Sequence, residues 1–198
     1  MISRTEVVWR HLLVMALNED RRRTSITELG QQLALPVSTI HKAVARPREI
    51  GAVRGTAQGL RVLDPKRLLL LWAARRSLSK DLTYKTHVER PIREIEGHLP
   101  ETAIPTAYTA FVHHQGRNTV ADYDQVIVYG DRAEAQRAFP ARRGYPNLIV
   151  LDPDPLLINY GRYAPMPQVY ADLFNLPTWQ AQRFLDVLNR QLLLTDVA

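Results

Sequence analysis

The sequence predicts an α+β protein in two domains: a helical N-terminal domain with a β-hairpin, residues 1–80, and a mixed α/β domain ending in helices, residues 81–198. Three observations point there. Apolar residues recur at helical spacing through most of the first 80 positions, interrupted by two short β-runs around a Gly-rich tip. Two further β-runs, 125–129 and 147–151, fall among helical segments in the second half. Charge is also unevenly divided: residues 1–80 hold 15 Lys+Arg against 6 Asp+Glu, and residues 81–198 hold 11 against 14. A chain of 198 residues has room for one or two domains.

Composition removes several classes of function. Hydrophobic residues at 45% and charged residues at 23% are globular values and exclude a disordered chain. The absence of Cys excludes disulfides, Cys-ligated zinc, iron–sulfur clusters and a thiol nucleophile. The longest apolar runs, Leu12–Leu17 and Leu68–Ala74, fall short of the ~18 residues that a membrane span requires. The N-terminal apolar stretch runs into Asn18, Glu19, Asp20 and three arginines, which is not the pattern of a cleaved leader. The expectation is a cytoplasmic protein with no membrane contact. The basic first half suits a polyanion, above all nucleic acid.

Taken in order, Arg4–Asn18 carries Val7, Val8, His11, Leu12, Met15 and Ala16 at helical spacing, with His11 on the apolar face. Arg21, Arg22 and Arg23 form a basic loop. Ser25 with Glu28 three residues on is a capping box for a second helix lined by Ile26, Leu29 and Leu33. Pro36 makes the turn, and Ser38 is the expected N-cap of a third helix. Its inner face is Ile40, Ala43, Val44 and Pro47; its outer face is Ser38, His41, Lys42, Ala45 and Arg46. Pro47 is expected to end or kink this helix, giving Val37–Arg46. Gly51 stops continuation. Ala52–Arg54 and Leu60–Val62 are strand candidates around a tip at Gly55–Gly59. Asp64 and Pro65 then open a helix over Pro65–Leu78 as N-cap and first-turn proline.

An outer face of small polar and basic side chains fits a DNA major groove, where Lys or Arg reaches phosphates or guanine edges. Candidate DNA contacts are therefore Ser38, Thr39, His41, Lys42 and Arg46 on the third helix. Arg54, Gln58 and Arg61 would serve on the hairpin, and Arg21, Arg22 and Arg23 on the backbone. Lys42 and Arg46 are the candidates for guanine. The order of elements over residues 4–63 resembles the winged helix-turn-helix of bacterial regulators, with Ser38–Val44 as recognition helix and Ile50–Gly55 leading into the wing. A winged helix used for protein contacts is the competing reading.

In the second domain, Lys80–Lys85 reads as a linker and His87–His98 as a helix. Thr106–His113 fits a helix or a strand. Gln125–Tyr129 is a β-run, and Asp131 with Glu134 caps a short helix to Phe139. Asn147–Leu151 is a second β-run, followed by a rigid Asp-Pro-Asp-Pro turn. Helices Pro167–Asn175 and Thr178–Leu194 close the chain. The last of them has Ala181, Phe184, Leu185, Leu188 and Leu192 on its inner face. Tyr123, Tyr129, Tyr145, Tyr160, Tyr163 and Tyr170 suit a core or a protein-binding face.

Residues 164–173, Ala-Pro-Met-Pro-Gln-Val-Tyr-Ala-Asp-Leu, followed by Trp-Gln-Ala-Gln-Arg-Phe-Leu at 179–185, resemble the C-terminal part of the AbiEi family. That resemblance implies an N-terminal winged helix and a C-terminal antitoxin domain. It further implies a type IV toxin–antitoxin (abortive infection, phage defence) antitoxin that represses its own promoter and counteracts a nucleotidyltransferase-like toxin encoded beside it. Repression of a promoter repeat calls for two copies, by homodimerisation or side-by-side binding.

Catalytic patterns are thin. Asp122 and Asp124 precede the first β-run and would hold a divalent metal if they lay on a strand. The glycine-serine turn of a nucleotidyltransferase is missing: Gly116-Arg117 stands too close, with no serine. No pair among His11, His41, His87, His98, His113 and His114 has His-x-x-x-His spacing, and no P-loop or Gly-x-Ser-x-Gly elbow occurs. The expectation is a non-enzymatic DNA-binding repressor with no cofactor and no metal. A winged-helix regulator with a ligand-sensing C-terminal domain, and a metal-dependent enzyme using Asp122 and Asp124, are the alternatives.

Overall fold

A computed structural model describes residues 2–17, 23–57 and 59–193 and shows a mixed α+β protein. The chain divides into two compact units. One is Ile2–Arg76 joined by the segment Asn189–Leu193; the other is Ser77–Leu188. No helix among the described residues is long and apolar enough to cross a membrane.

The first unit opens with α1, Arg4–Ala16, started by a capping box in which Ser3 accepts from the Glu6 amide and Glu6 reaches back to the Ser3 amide at 3.1 Å. Glu6 also accepts from the Trp72 indole at 3.3 Å, so one carboxylate serves both the helix start and the core. Strand β1, Arg23–Thr24, follows. Helix α2, Ile26–Gln32, has the Ser25–Glu28 capping box, with the Glu28 amide donating to Ser25 Oγ at 2.9 Å. Helix α3 is Val37–Glu49, and β2, Val53–Thr56, pairs with β3, Gly59–Val62, as a hairpin. Strand β1 adds to the outside of β3, giving an antiparallel sheet of order β1-β3-β2. Position 59 must be glycine: its φ is +113°, and a Cβ there would collide with the Thr24 carbonyl where β1 crosses the hairpin. Helix α4, Pro65–Arg75, is capped by Asp64, which accepts from the Arg67 amide at 2.8 Å. Trp9, Leu12, Leu13, Leu29, Ile40, Val44, Leu60, Leu68 and Trp72 fill the core. His11 is half-buried and bonds Gln32 at 3.0 Å; burial holds its pKa below the usual histidine value.

Four expectations for this unit need correction. Residue 23 belongs to a strand rather than a loop. The cap of α3 is Pro36 rather than Ser38, with no side-chain cap bond. And α3 runs through Pro47 to Glu49. A proline leaves the carbonyl four residues earlier without its helical donor. That carbonyl, Ala43 O, instead accepts from Trp9 Nε1 at 2.7 Å in the buried α1–α3 contact. The helix is therefore spared the unsatisfied acceptor that usually accompanies an internal proline. Helix α4 also stops three residues before the expected Leu78.

The second unit is built on a four-stranded sheet of order β4-β7-β6-β5. Strand β4 is Leu82–Thr86, β5 Ile104–Pro105, β6 Val126–Tyr129 and β7 Leu148–Leu151. Only the β6–β7 pair is parallel, joined across α7, Arg132–Ala138, which Asp131 caps at 2.8 Å. Period-two alternation places Tyr84, Val126, Val128, Leu148 and Val150 in one cluster with Ile95 of α5, Ile92–Gly97, and with Ala135 and Phe139. On the other side lie α6, Ala107–His114, α8, Met166–Phe174, and α9, Trp179–Leu188. The inner residues Ala181, Phe184, Leu185 and Leu188 of α9 are buried.

Here too the sequence misled in places. The expected linker Lys80–Lys85 is mostly β4, an edge strand that pairs with β7 because Tyr84 and Thr86 turn inward. The expected helix His87–His98 shortens to α5, since Pro91 can only open it. Thr106–His113 is essentially α6, and the last helix gives way at Asn189–Leu193 to a wider π-helical turn.

Inside this unit Asp172 and Gln168, four residues apart on α8, are completely buried. Asp172 Oδ2 accepts from Thr106 Oγ1 and from the Tyr129 hydroxyl, both at 2.7 Å. Gln168 Nε2 donates to the Tyr129 oxygen at 2.8 Å and to Asp172 Oδ1 at 3.1 Å. The motif Pro-Gln-Val-Tyr-Ala-Asp-Leu at 167–173 thus supplies a buried polar clasp between α8, β6 and the start of α6.

Candidate nucleic-acid interface

The burial pattern of α3 separates its faces. Ile40, Ala43, Val44 and Pro47 are buried; Ser38, His41, Lys42, Ala45, Arg46 and Arg48 are exposed, and Thr39 is half-buried. The small side chains at 38 and 45 leave the helix backbone open to close approach, with Lys42 and Arg46 reaching beyond it. Arg46 pairs with Glu49 at 2.9 Å, an exposed (i, i+3) contact that is worth about 0.2–1 kcal/mol and is readily exchanged for a phosphate.

The sheet contributes a second basic element. Arg23 on β1 is in register with Arg61 on β3, which is in register with Arg54 on β2. Residues directly opposite share a face. Three arginines therefore stand side by side across the full width of the sheet, all exposed, while Thr24, Val53, Leu60 and Val62 point to the core. Neither Arg54 nor Arg61 has a carboxylate partner among the described residues. Like charges in such positions repel, so an anion placed over Arg54 and Arg61 would relieve them.

Arg48 was not among the sequence candidates. It lies beside the hairpin, its guanidinium 2.9 Å from where a Cβ at position 55 would stand. Arg48, Gly51, Val53, Arg54, Gly55 and Leu63 line an open pocket there. Its signal in the sequence was lost once the helix was expected to end at Arg46. Arg67 takes a structural part, donating to the Ile50 carbonyl at 2.7 Å at the end of α3.

Arg21, Arg22 and Gln58 lie outside the described residues. The other eight candidates fall on two elements of one unit: Ser38, Thr39, His41, Lys42 and Arg46 on α3, and Arg23, Arg54 and Arg61 on the sheet. Asp122 and Asp124 sit in irregular chain before β6, both exposed. Among the described residues no group of three His, Asp or Glu is placed to hold a metal ion. Compared with protein-family models, with curated proteins and with solved structures, the chain matches none of them.

Proposed function

We propose that this chain is a DNA-binding transcriptional regulator whose first unit is a winged helix-turn-helix. The observation that carries the reading is the in-register row Arg23, Arg61 and Arg54 in the same unit as the exposed basic face of α3. In this reading α3 is the recognition helix, with Lys42 and Arg46 toward bases. The hairpin is the wing, and Arg23, Arg48, Arg54 and Arg61 hold phosphates. Phosphate contacts supply affinity and base contacts supply sequence preference.

The resemblance of residues 164–185 to AbiEi antitoxins extends the proposal. The chain would repress its own promoter and counteract a nucleotidyltransferase-like toxin encoded beside it, without catalysis of its own. What supports this is the element order and the distinctive motif, whose Gln168 and Asp172 form the buried clasp.

The test is a gel shift with the protein's own upstream DNA against scrambled DNA of equal length, over a salt series. The expected outcome is sequence-preferring binding that survives about 150 mM salt and is lost in Lys42→Ala plus Arg46→Ala. Equal, weak binding to both DNAs that vanishes at that salt would overturn the proposal and leave the basic face a protein-contact surface.

A further inference from the structure

The second unit is mildly acidic overall, yet it holds a basic cleft of about 410 Å³, a volume typical of small-ligand sites. Arg93, Arg117 and Arg162 line it, with Glu96 as its carboxylate. Glu96 is committed inside the protein. Its Oε1 accepts from Tyr123 at 2.7 Å and from Thr109 at 2.8 Å, and its Oε2 pairs with Arg93 at 3.1 Å. Burial and the bond to Glu96 push the Tyr123 phenol up, so it stays a donor and keeps Glu96 in place. One cation of the cleft is thereby balanced. Arg117 and Arg162 have no carboxylate partner among the described residues. Arg162 is oriented by its bond to the Ala103 carbonyl.

Two aromatic rings, His113 and Tyr163, also line the cleft. His113 stacks on Tyr163 with ring centroids 3.7 Å apart and planes 11° from parallel. Burial, His114 and Arg117 hold the His113 pKa below the usual value, so the ring is neutral near pH 7. Guanidinium groups bind phosphate in a fork geometry, and a paired aromatic platform takes a nucleobase face-on.

We propose that this cleft binds a free nucleotide, its phosphate against Arg117 and Arg162 and its base against the His113–Tyr163 platform. The site lies in the other unit from α3 and the hairpin, so the inference does not rest on DNA binding.

The experiment is calorimetric titration of the full chain with AMP and ADP, alongside adenosine, inorganic phosphate and a short 5′-phosphorylated single strand. AMP or ADP should bind, with adenosine and phosphate each weaker by about tenfold or more because each reaches half of the site. Arg117→Gln plus Arg162→Gln should weaken AMP by about tenfold or more. His113→Ala should weaken AMP while leaving inorganic phosphate unchanged. No binding of AMP or ADP, an AMP affinity unmoved in the double variant, or a single strand that binds better than AMP through the same residues would each overturn the proposal. If circular dichroism shows the double variant unfolded, Arg117→Gln alone decides, since Arg117 is exposed. Unchanged AMP affinity there would overturn it too.

Discussion

The first unit sets a row of like charges on an exposed sheet, and the second closes a clasp of polar groups in its interior. In the first, Arg23, Arg61 and Arg54 repeat one charge across an exposed sheet, and like charges in opposite positions repel. In the second, Thr106, Tyr129, Gln168 and Asp172 answer one another donor for acceptor in a space closed to water. A polar group satisfied within the chain reports on folding. A row of groups that repel one another reports on something the chain meets. The difference separates residues that hold this protein together from residues available to a partner, and each half of it can be tested.

The largest expected effect lies in the buried clasp. Asp172→Ala removes the acceptor of three donors and leaves them in a dry interior. Each unsatisfied buried donor costs about 1–3 kcal/mol, so the variant should lose about 3 kcal/mol or more. Urea unfolding followed by circular dichroism measures it. Tyr129→Phe, which keeps the ring, should lose less. A change below about 1 kcal/mol for Asp172→Ala would show that water or rearrangement replaces the clasp and would blur the inside–outside contrast.

A smaller effect tests the helix that presents the basic face. Trp9→Phe deletes the indole N–H that Ala43 O receives in place of the amide Pro47 lacks. The expected loss is about 1–3 kcal/mol. Pro47→Ala restores an amide that can serve the same carbonyl from within α3. In the Pro47→Ala background the Trp9→Phe loss should therefore shrink by about 1 kcal/mol. Equal losses in both backgrounds would mean that the indole acts through packing alone.

That pair of residues also shows where reading the sequence reaches and where it stops. The Ser25–Glu28 box, the Asp64 and Asp131 caps and the inner and outer faces of α3 were legible, because each depends on residues within one turn or a few. The continuation of α3 through Pro47 was not. It depends on Trp9, 34 residues before the Ala43 carbonyl it serves and adjacent only after folding. Arg48 was lost with it. Strand β4 was hidden for a related reason: Leu82–Thr86 is short and polar and becomes a strand through pairing with β7. Gln168 and Asp172 stood out as a motif, but a motif does not say which face of α8 is buried, and their role came only from Thr106 and Tyr129. Of the site, the candidate residues were legible singly. Their alignment was not, since the register of Arg23, Arg61 and Arg54 is a property of the sheet.

The smallest stability effect makes the sharpest test of that alignment. Arg61 stands in the middle of the row, opposite Arg23 on one side and Arg54 on the other. Arg61→Gln relieves two like-charge neighbours at once and should raise stability by about 0.2–1 kcal/mol, more at low salt than at high. Arg54→Gln relieves one and should gain less. If the row serves a polyanion, the same substitutions must weaken DNA binding and flatten its salt dependence by about one unit per lost phosphate contact. The two readouts must move in opposite directions, with Arg61→Gln leading in both. Folding stability that falls in Arg61→Gln would show that the row is held by a contact within the chain. The first unit would then resemble the second, with its polar groups satisfied at home.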